Sequence, residues 1–397
     1  MHFQKLKVKG KLDKMKIMYL LNSTSMGGAN ISFINMVKGL SKNNIDCYIV
    51  YPDDPVNKDF KERISPYIKG LYHVNLKNYF HGSNSNNIIS DVKSTQLYQV
   101  VKHYREDKEL TKLVRRIKPD IIHTNVGVIQ AGYRVSQKLG IPHIWHLREY
   151  QTKDFSWKIE PSKKKFIKML KKSYVVTITE DIRKYFNLDS YSRARVIYNG
   201  CFSATDTSLK IPKDKYFLCS SRISPEKGHD IVVKAYSNFY KKHPDYKLLI
   251  AGFGEPKYID KLKKMAKENN CLEGIKFLGF RKDIRELMDN ATALIVASRF
   301  EGFGRMTAEA AFRGCLVIGN NTGGTKEILQ KTGGLAYIDG EKGLEKAMNT
   351  AISYSRDTYK KKATKAQNVA VENFSNEQCV EKVYELYNDI LATKKEG

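Results

Sequence analysis

The segment SRFEGFGRMTAEAAFRGCLVIGNNTGG, residues 298–324, places a glycine-rich turn between two apolar runs. Residues 293–297, directly before it, are apolar and predict a buried strand, and helix-favouring residues resume near Arg305. A second apolar run at 316–319 predicts the next strand. A strand, a turn, a helix and a further strand are the repeating unit of parallel α/β sheets.

Short apolar runs alternate with helical patterns in the same way along the rest of the chain. In the first half, strands are predicted at residues 17–22, 46–51, 71–74, 120–123, 143–147, 174–179 and 196–198. In the second half, they are predicted at residues 216–220, 247–252, 275–278, 293–297, 316–319 and 335–338. This alternation predicts the α/β class with parallel sheets.

A chain of 397 residues is longer than one hydrophobic core usually supports, which predicts two domains. Residues 199–215 interrupt the alternation with Gly, Ser, Thr and Pro, so they are the predicted linker. We expect two doubly wound, Rossmann-like domains, residues 1–200 and 201–374, that face each other across a cleft. The amphipathic segment 375–397 is expected to form a helix that packs back on the first domain.

The net charge of +27 is distributed unevenly. Residues 1–200 contain 36 Lys and Arg against 17 Asp and Glu, whereas the remaining residues contain 33 against 25. A positive field of this size suits a polyanion or an anionic membrane surface as a partner, and it is also compatible with an ordinary solvated surface.

The six cysteines are spread along the chain without a C-x-x-C pair, which argues against a zinc site and a disulfide framework. We therefore expect free thiols in a reducing cytoplasm. The basic first residues lack the cleavage site of a signal peptide, and no apolar run approaches the roughly 18 residues of a membrane-spanning helix.

Two acidic residues, Glu301 and Glu309, flank the turn of the opening segment. Gly302 and Gly304 lie where the backbone must turn tightly or approach a ligand. The helix that begins there offers free N–H groups and the positive end of its dipole to a phosphate. Glu309 is expected to point to the mouth of the site and bind ribose hydroxyls, and Glu301 to bind hydroxyls of a sugar. The two acids therefore predict a site for a nucleoside diphosphate sugar.

A bound diphosphate needs cations, and Arg222 and Lys227 follow the first predicted strand of the second half. A planar guanidinium and a mobile ammonium both stabilise an oxygen that loses its sugar. Gly27 and Gly28 follow the first strand of the chain and would let the backbone approach the phosphate from the other domain. The pattern is not G-x-G-x-x-G, which disfavours a dehydrogenase.

Further candidates lie at the ends of other predicted strands. They are His123, Asn125, His146, Arg148, Gly252, Gly254 and Phe280. The histidines, the asparagine and the arginine could meet the reacting sugar or the acceptor. The backbone near Phe280 could hold the edge of a nucleobase, and the two glycines lie on the expected cleft edge.

Taken together, these motifs resemble the retaining glycosyltransferases of family 4, which have the GT-B fold. The resemblance covers essentially the whole chain. It is carried by GG at 27–28, HTN at 123–125, WHLRE at 145–149, SRISPEKG at 221–228, AGFG at 251–254 and EGFGRMTAEAA at 301–311. The E-x7-E spacing combined with the upstream R-x4-K is the specific part of this signature.

The resemblance implies a role for each matching position. Arg222 and Lys227 would contact the donor diphosphate, Glu309 the ribose, and Glu301 the sugar. The amides of Phe303 and Gly304 would lie along the sugar and phosphate, with Gly28 approaching from the first domain.

One position departs from the family pattern. Many relatives have H-x-H where this chain has His123 and Asn125. Because of this departure, the expected catalytic histidine is His146.

The implied reaction is hexosyl transfer with retention of anomeric configuration on the front face of the sugar, without a protein nucleophile. No D-x-D pair is present to hold a divalent ion, so neither a metal nor a cofactor besides the nucleotide-sugar co-substrate, UDP- or GDP-linked, is expected.

The first domain usually holds the acceptor in this fold. Here residues 163–172 contain six lysines with interleaved apolar residues, a pattern typical of a basic amphipathic helix on an anionic membrane. We expect a peripheral enzyme at the inner face of the plasma membrane. Its acceptor would be a lipid-linked glycan of surface polysaccharide, such as capsule or teichoic acid.

Two alternatives remain at this point. The acceptor could be a protein or a soluble small molecule. The charge could instead belong to a nucleic-acid binder, although no RNP, KH or helix-turn-helix pattern is present, so no nucleic-acid partner is expected. The sequence specifies no oligomeric state.

Overall fold

The computed structural model describes residues 14–82, 96–155 and 157–396. The strands of the first domain are β1 Met15–Leu20, β2 Ile45–Tyr51, β3 Gly70–His73, β4 Phe80–Gly82, β5 Ile121–Thr124, β6 His143–Leu147, β7 Trp157–Ile159, β8 Tyr174–Thr177 and β9 Ala194–Val196. Its helices are α1 Gly28–Leu40, α2 Lys58–Ile64, α3 Gln96–Ile117, α4 Ala131–Leu139, α5 Thr152–Phe155, α6 Lys163–Leu170 and α7 Glu180–Tyr185.

The second domain continues the same alternation. Its strands are β10 Asp214–Ser220, β11 Lys247–Ala251, β12 Ile275–Gly279, β13 Ala291–Val296, β14 Leu316–Asn320 and β15 Leu335–Tyr337. Its helices are α8 His229–Tyr240, α9 Pro256–Glu268, α10 Ile284–Asn290, α11 Arg305–Phe312, α12 Gly323–Thr332, α13 Gly340–Ser353 and α14 Arg356–Phe374, and the chain ends in α15 Asn376–Glu396.

Each domain is built on one parallel sheet. The first sheet has the strand order β3-β2-β1-β5-β6-β8-β9, and the second has the order β12-β11-β10-β13-β14-β15. Both orders change direction beside the first strand of their domain, which is where open α/β sheets bind ligands. Two doubly wound domains of the α/β class are thus confirmed.

Every strand of the two parallel sheets overlaps a predicted strand, because a strand covered on both faces is a short apolar run. β4 and β7 were not predicted. They are three residues long and form a separate antiparallel pair, Phe80 opposite Ile159, that gives no periodic signal in the sequence.

The chain crosses between the domains at two adjacent points. Cys201 N–H donates to the Phe374 carbonyl at 2.9 Å, and Asn376 N–H donates to the Phe202 carbonyl at 2.8 Å. The boundary expected at residue 200 lies in the first crossing. Because the two crossings are hydrogen-bonded to each other, the last helix is directed back to the first domain.

Helix α15 completes the core of the first domain. Its buried side chains include Val383, Leu386 and Tyr387, and they pack in one cluster with Tyr19 of β1 and Phe33 of α1. Among the described residues, no helix combines the length and apolar character that a membrane crossing needs.

The domains also touch beside the cleft. A shared apolar cluster contains Trp145 and Phe166 of the first domain together with Phe303 and Phe312 of the second. Polar contacts add to it, because the Glu327 carboxylate of α12 accepts from the N–H groups at the start of α7 at 3.0 and 3.1 Å. The second domain thus supplies the acid that caps a helix of the first.

The packing of α15 predicts that shortening one of its buried side chains weakens the whole first domain. Leu386→Ala should lower the free energy of unfolding by about 2–5 kcal/mol, because it leaves a cavity in the shared core. Urea unfolding followed by circular dichroism measures this loss. Glu385→Ala on the exposed side of the same helix is the control, and an equal midpoint for both variants would contradict the packing.

Candidate functional site

A cavity of about 570 Å³ lies between the two domains. The first domain lines it with residues at the start of α1 and after the ends of β6, β8 and β9. The second domain lines it with the loops that follow β10 and β13. The cavity therefore lies where the carboxyl ends of both sheets meet, as the sequence predicted.

The second-domain side of the cavity contains an ion pair. Lys227 Nζ lies 2.8 Å from Glu301 Oε1, and Ser298 Oγ donates to the same oxygen at 2.6 Å. Lys227 comes from the short 3₁₀ turn Pro225–Lys227, and Glu301 from the loop before α11. Two of the predicted residues are thus in contact although they are far apart in the sequence.

Arg222 also lines the cavity, and its guanidinium pairs with Glu226, four residues later in the sequence. Its side chain is mostly exposed, unlike that of Lys227. Arg222 is therefore free to rotate toward a ligand without disturbing a packed core.

Two helices begin at the cavity. Gly28 and Ala29 of α1 and Gly304 and Arg305 of α11 are among its lining residues, and neither helix has a side-chain N-cap. Their first N–H groups and the positive ends of their dipoles are available to an anion. Gly27, expected to bind, is the N-cap residue of α1 and does not itself line the cavity.

Gly302 and Gly304 permit this arrangement for different reasons. Gly304 adopts φ 85°, a left-handed conformation that side chains other than glycine rarely accept. A Cβ atom at Gly302 would lie 2.6 Å from the carbonyl oxygen of Arg148 in the other domain. Phe303 between them is buried in the apolar cluster between the domains and also borders the cavity.

Arg148 is held by two asparagines at the first-domain wall. Its Nη2 donates to Asn125 Oδ1 at 2.8 Å, and its Nη1 donates to Asn199 Oδ1. Burial lowers the pKa of Arg148 to about 10. Asn125, the position that departs from the family pattern, therefore supports Arg148 and does not line the cavity.

His146 and His123 lie away from the cavity, which corrects the expected contact of His146 with the reacting sugar. His123 Nε2 lies 3.2 Å from His146 Nδ1, and His123 Nδ1 lies 2.7 Å from the Tyr387 hydroxyl of α15. Side chains of β6 alternate between the two faces of the sheet, so His146 faces the layer that α15 covers. Burial, followed by the charge of Arg148, lowers the pKa of both imidazoles well below its ordinary value.

Glu309 does not line the cavity either. It lies one turn inside α11, and its Oε1 is 2.6 Å from Nε of Arg305, which does line the cavity. The guanidinium lies beside the carboxylate because residues four apart share one face of a helix. The Glu309 carboxylate thus adjoins a residue that borders the cavity, and its expected approach to the cavity mouth stays a prediction.

The candidates on β11 and β12 belong to an adjoining cavity of about 660 Å³, which shares Arg222 and Glu226 with the first. Gly254 lines it, and Gly252 donates its N–H to the Gly279 carbonyl at 2.8 Å. Phe280 stacks on Phe253, a lining residue, with ring centroids 5.0 Å apart. Both rings are exposed.

Several lining residues were not among the sequence candidates. Ser32, Asp154, Asn199, Phe300 and Arg305 all border the cavity. Glu149, which follows Arg148 in the WHLRE motif at a predicted strand end, borders it as well. Ser32 and Arg305 give no such signal, since their place depends on the approach of the other domain.

Over the described ranges, no three His, Cys, Asp or Glu side chains come together in a way that could hold a metal ion. The positive groups that border the cavity are the two helix N-termini and the side chains of Arg148, Arg222, Lys227 and Arg305. The arrangement can therefore bind an anion through cations and backbone N–H groups, with the Glu301 carboxylate next to it.

Two Rossmann-like domains with a cavity between their strand ends define the GT-B class of glycosyltransferases. HepE of Anabaena, whose crystal structure contains UDP, superposes with a TM-score of 0.76 at 19% identity. The superposition covers 94% of this chain and 100% of HepE. At this identity the likeness shows the fold.

The family follows from the sequence match. The model of Glycosyltransferase Family 4 matches residues 26–201, and the model of Glycosyl transferases group 1 matches residues 204–389. The chain belongs to these family 4 glycosyltransferases, which confirms the resemblance inferred from its motifs.

Two curated relatives share part of the chain. The N-acetylgalactosamine-N,N'-diacetylbacillosaminyl-diphospho-undecaprenol 4-alpha-N-acetylgalactosaminyltransferase of Campylobacter jejuni is 29% identical over 46% of this chain and 51% of its own length. The poly(glycerol-phosphate) alpha-glucosyltransferase of Bacillus subtilis is 29% identical over 44% of this chain and 26% of its own length. The chain thus spans about half or less of the length of these relatives.

The pKa of Glu149 predicts a specific pH dependence of the free energy of unfolding. Burial, and next the charge of Asp154, raise the pKa of Glu149 to about 7, from an ordinary value of 4.5. Between these two values the folded state binds more protons than the unfolded state, so the Glu149 contribution to stability falls as pH rises.

Glu149→Gln should remove this slope. Relative to the unmodified protein, the variant should gain up to about 3 kcal/mol in unfolding free energy between pH 4.5 and pH 7, and nothing further above. Urea unfolding of both proteins from pH 5 to pH 8 measures the difference. Parallel stability curves across that range would show that the Glu149 carboxyl titrates normally.

Proposed function

We propose that this protein is a retaining glycosyltransferase that moves a hexose from a UDP- or GDP-linked donor to a glycan acceptor. The observation that carries the proposal is the Lys227–Glu301 pair, which lies between two uncapped helix N-termini in the cavity between the domains. These groups offer an anion site and a hydroxyl-binding carboxylate side by side.

The donor diphosphate would replace Glu301 as a partner of the Lys227 ammonium. Lys227 and Arg222 would turn to the phosphate oxygens, and the N–H groups of Gly28 and Gly304 would complete their hydrogen bonds. Once Lys227 has turned to the phosphate, the Glu301 carboxylate would accept hydrogen bonds from sugar hydroxyls. Glu309 would accept from the ribose with the carboxylate oxygen that Arg305 does not occupy.

The reaction would proceed on the front face of the sugar. The bond between the anomeric carbon and the phosphate oxygen breaks as the acceptor oxygen attaches from the same side, and the leaving phosphate takes the acceptor proton. Lys227, Arg222 and the helix dipoles would stabilise the charge that develops on the phosphate, a role that metal-dependent enzymes give to a divalent ion. Closure of the two domains would exclude water.

The acceptor would be a lipid-linked glycan at the inner face of the plasma membrane. The Campylobacter relative, by its name, acts on a diphospho-undecaprenol-linked sugar, and the Bacillus relative acts on poly(glycerol-phosphate). The +19 of the first half suits such an anionic partner.

The basic helix expected at the membrane is α6, and its apolar side packs against the protein core. Phe166 and Leu170 are buried in the cluster that contains Trp145, so they cannot enter a lipid layer. Lys164, Lys165 and Lys168 are exposed. The proposed membrane contact is therefore electrostatic, and insertion of the helix is not part of it.

A thermal-shift panel of UDP- and GDP-sugars tests the donor class, followed by hydrolysis assays on the sugar that stabilises most. At 100 times its dissociation constant, a true donor should add about 2.7 kcal/mol to the free energy of unfolding. If no nucleotide sugar stabilises the protein and none is hydrolysed, the proposed activity is wrong.

Removing either partner of the ion pair should reduce turnover strongly. Lys227→Met leaves the diphosphate without its ammonium, and we expect a fall in kcat/KM of about 100-fold or more. Glu301→Gln should act mainly on kcat through the sugar hydroxyls. Lys215→Met, which breaks an ion pair with Asp245 far from the cavity, is the matched control and should keep full turnover. Equal turnover of Lys227→Met and the control would contradict the assignment.

The lysine face of α6 should determine membrane binding. Substituting Lys164, Lys165 and Lys168 by Gln should weaken binding to phosphatidylglycerol vesicles on the order of 100-fold, at about 1 kcal/mol per lysine. Cosedimentation at low salt measures the loss. The same change at Lys261, Lys264 and Lys267 of α9 removes equal charge from the second domain and should have little effect. Equal losses for both triple variants would show that the total charge, and not α6, is responsible.

A further inference from the structure

Arg305 occupies an unusual place at the cavity between the domains. It is the first residue of α11, and its side chain is only 18% exposed. A cation in the first turn is opposed by the helix dipole, and burying it costs hydration free energy. Contacts with other groups must therefore offset both costs.

Those contacts reach three separate parts of the chain. Nε lies 2.6 Å from Glu309 Oε1 on the same helix. Nη1 donates to Ser32 Oγ of α1 at 2.7 Å, across the cleft in the first domain. Nη2 donates to the Cys201 carbonyl at 3.2 Å, in the segment where the chain crosses between the domains.

Two of these partners belong to the proposed donor site. Glu309 is the acid proposed to bind the ribose, and α1 carries the N-terminus proposed to face the diphosphate. The planar fork of a guanidinium fixes several partners at set angles, which an ammonium cannot do. Ser32 is buried, so this bond is shielded from water.

We infer that Arg305 is a positioning residue that couples the grip on the donor to the closure of the domains. With α1 in place, the guanidinium is held between Ser32 and Cys201 and orients the Glu309 carboxylate. If α1 moves away, the bond to Ser32 breaks and Glu309 loses its fixed orientation. The same linkage runs in reverse, because donor binding at Glu309 favours the closed arrangement.

This inference rests on the proposed donor site, yet it concerns a residue that the proposed chemistry does not use. Arg305 touches neither the sugar nor the phosphate in this assignment. Its effect on the donor passes through Glu309 and α1.

The test compares Arg305→Lys and Ser32→Ala with Arg313→Lys. Arg313 lies just past the other end of α11, is 15% exposed, and pairs with Asp289 inside the second domain. Its Nη1 also donates to a backbone carbonyl, that of Asp206, at 3.0 Å. It therefore matches Arg305 in burial and in kinds of partner, without a contact to the first domain.

Affinity for UDP and for GDP is measured by calorimetry on the full chain. Arg305→Lys and Ser32→Ala should each raise the dissociation constant of the better-bound nucleotide by about 5-fold or more. The double variant should be no weaker than Arg305→Lys alone, because both changes break one linkage. Arg313→Lys should stay within about twofold of the unmodified protein, as expected for a change that does not reach the cavity.

Small-angle scattering of the unliganded proteins separates this inference from the donor assignment. Arg305→Lys and Ser32→Ala should increase the radius of gyration, and Arg313→Lys should not. An increase without nucleotide binding by any protein would support the coupling contact and reject the proposed donor. Unchanged scattering with unchanged affinity, additive effects in the double variant, or an equal loss in Arg313→Lys would each overturn the role of Arg305.

Discussion

The cleft depends on the pairing of two partly buried carboxylates with cations. Glu301 and Glu309 have side chains only 15% and 13% exposed, and an acid in such a place is costly unless a charge and hydrogen bonds compensate it. Lys227 compensates the first, and Arg305 the second. Both acids lie on one loop and the helix that follows it, so these two pairs position the part of the second domain that borders the cavity.

The two cations lie in different parts of the second domain, and they hold different parts of the molecule together. Lys227 comes from the loop after β10, so its pair fixes the distance between two strand ends of the second domain. Arg305 lies next to Glu309 but extends to Ser32 and Cys201. One pair therefore organises the second domain, and the other ties that domain to the first.

The sheets and the loops that line the cavity were predictable because local chemistry dictates them. Short apolar runs marked the strands of both parallel sheets, and glycine with charge at strand ends marked Glu301, Lys227 and Gly28. The orientation of His146 was not predictable, since its side chain lies in the layer that α15 adds from the far end of the chain. The sequence marks Arg305 only as the beginning of a helix, because two of its partners lie in α1 and in the crossing segment. Contacts between distant segments leave no local pattern.

On the first-domain wall of the cavity, the positive charge of Arg148 is only partly compensated by its neighbours. This imbalance affects which ligands the cavity can bind. The hydrogen bonds of Arg148 run to the amide oxygens of Asn125 and Asn199, which are neutral. The adjacent imidazole of His146 is also neutral, because burial lowers its pKa well below the ordinary value. Glu149 compensates only in part, since burial raises its pKa to about 7.

A buried guanidinium among neutral groups has lost hydration that those groups do not fully restore. An anion in the cavity would restore part of it, because attraction between charges is strong where water is excluded. Arg148 therefore favours an anionic ligand, and the first-domain wall would add to the attraction of Lys227 and Arg222 for the diphosphate that they are proposed to bind. A bound anion would therefore complete the charge balance of the cleft and favour closure of the two domains on it.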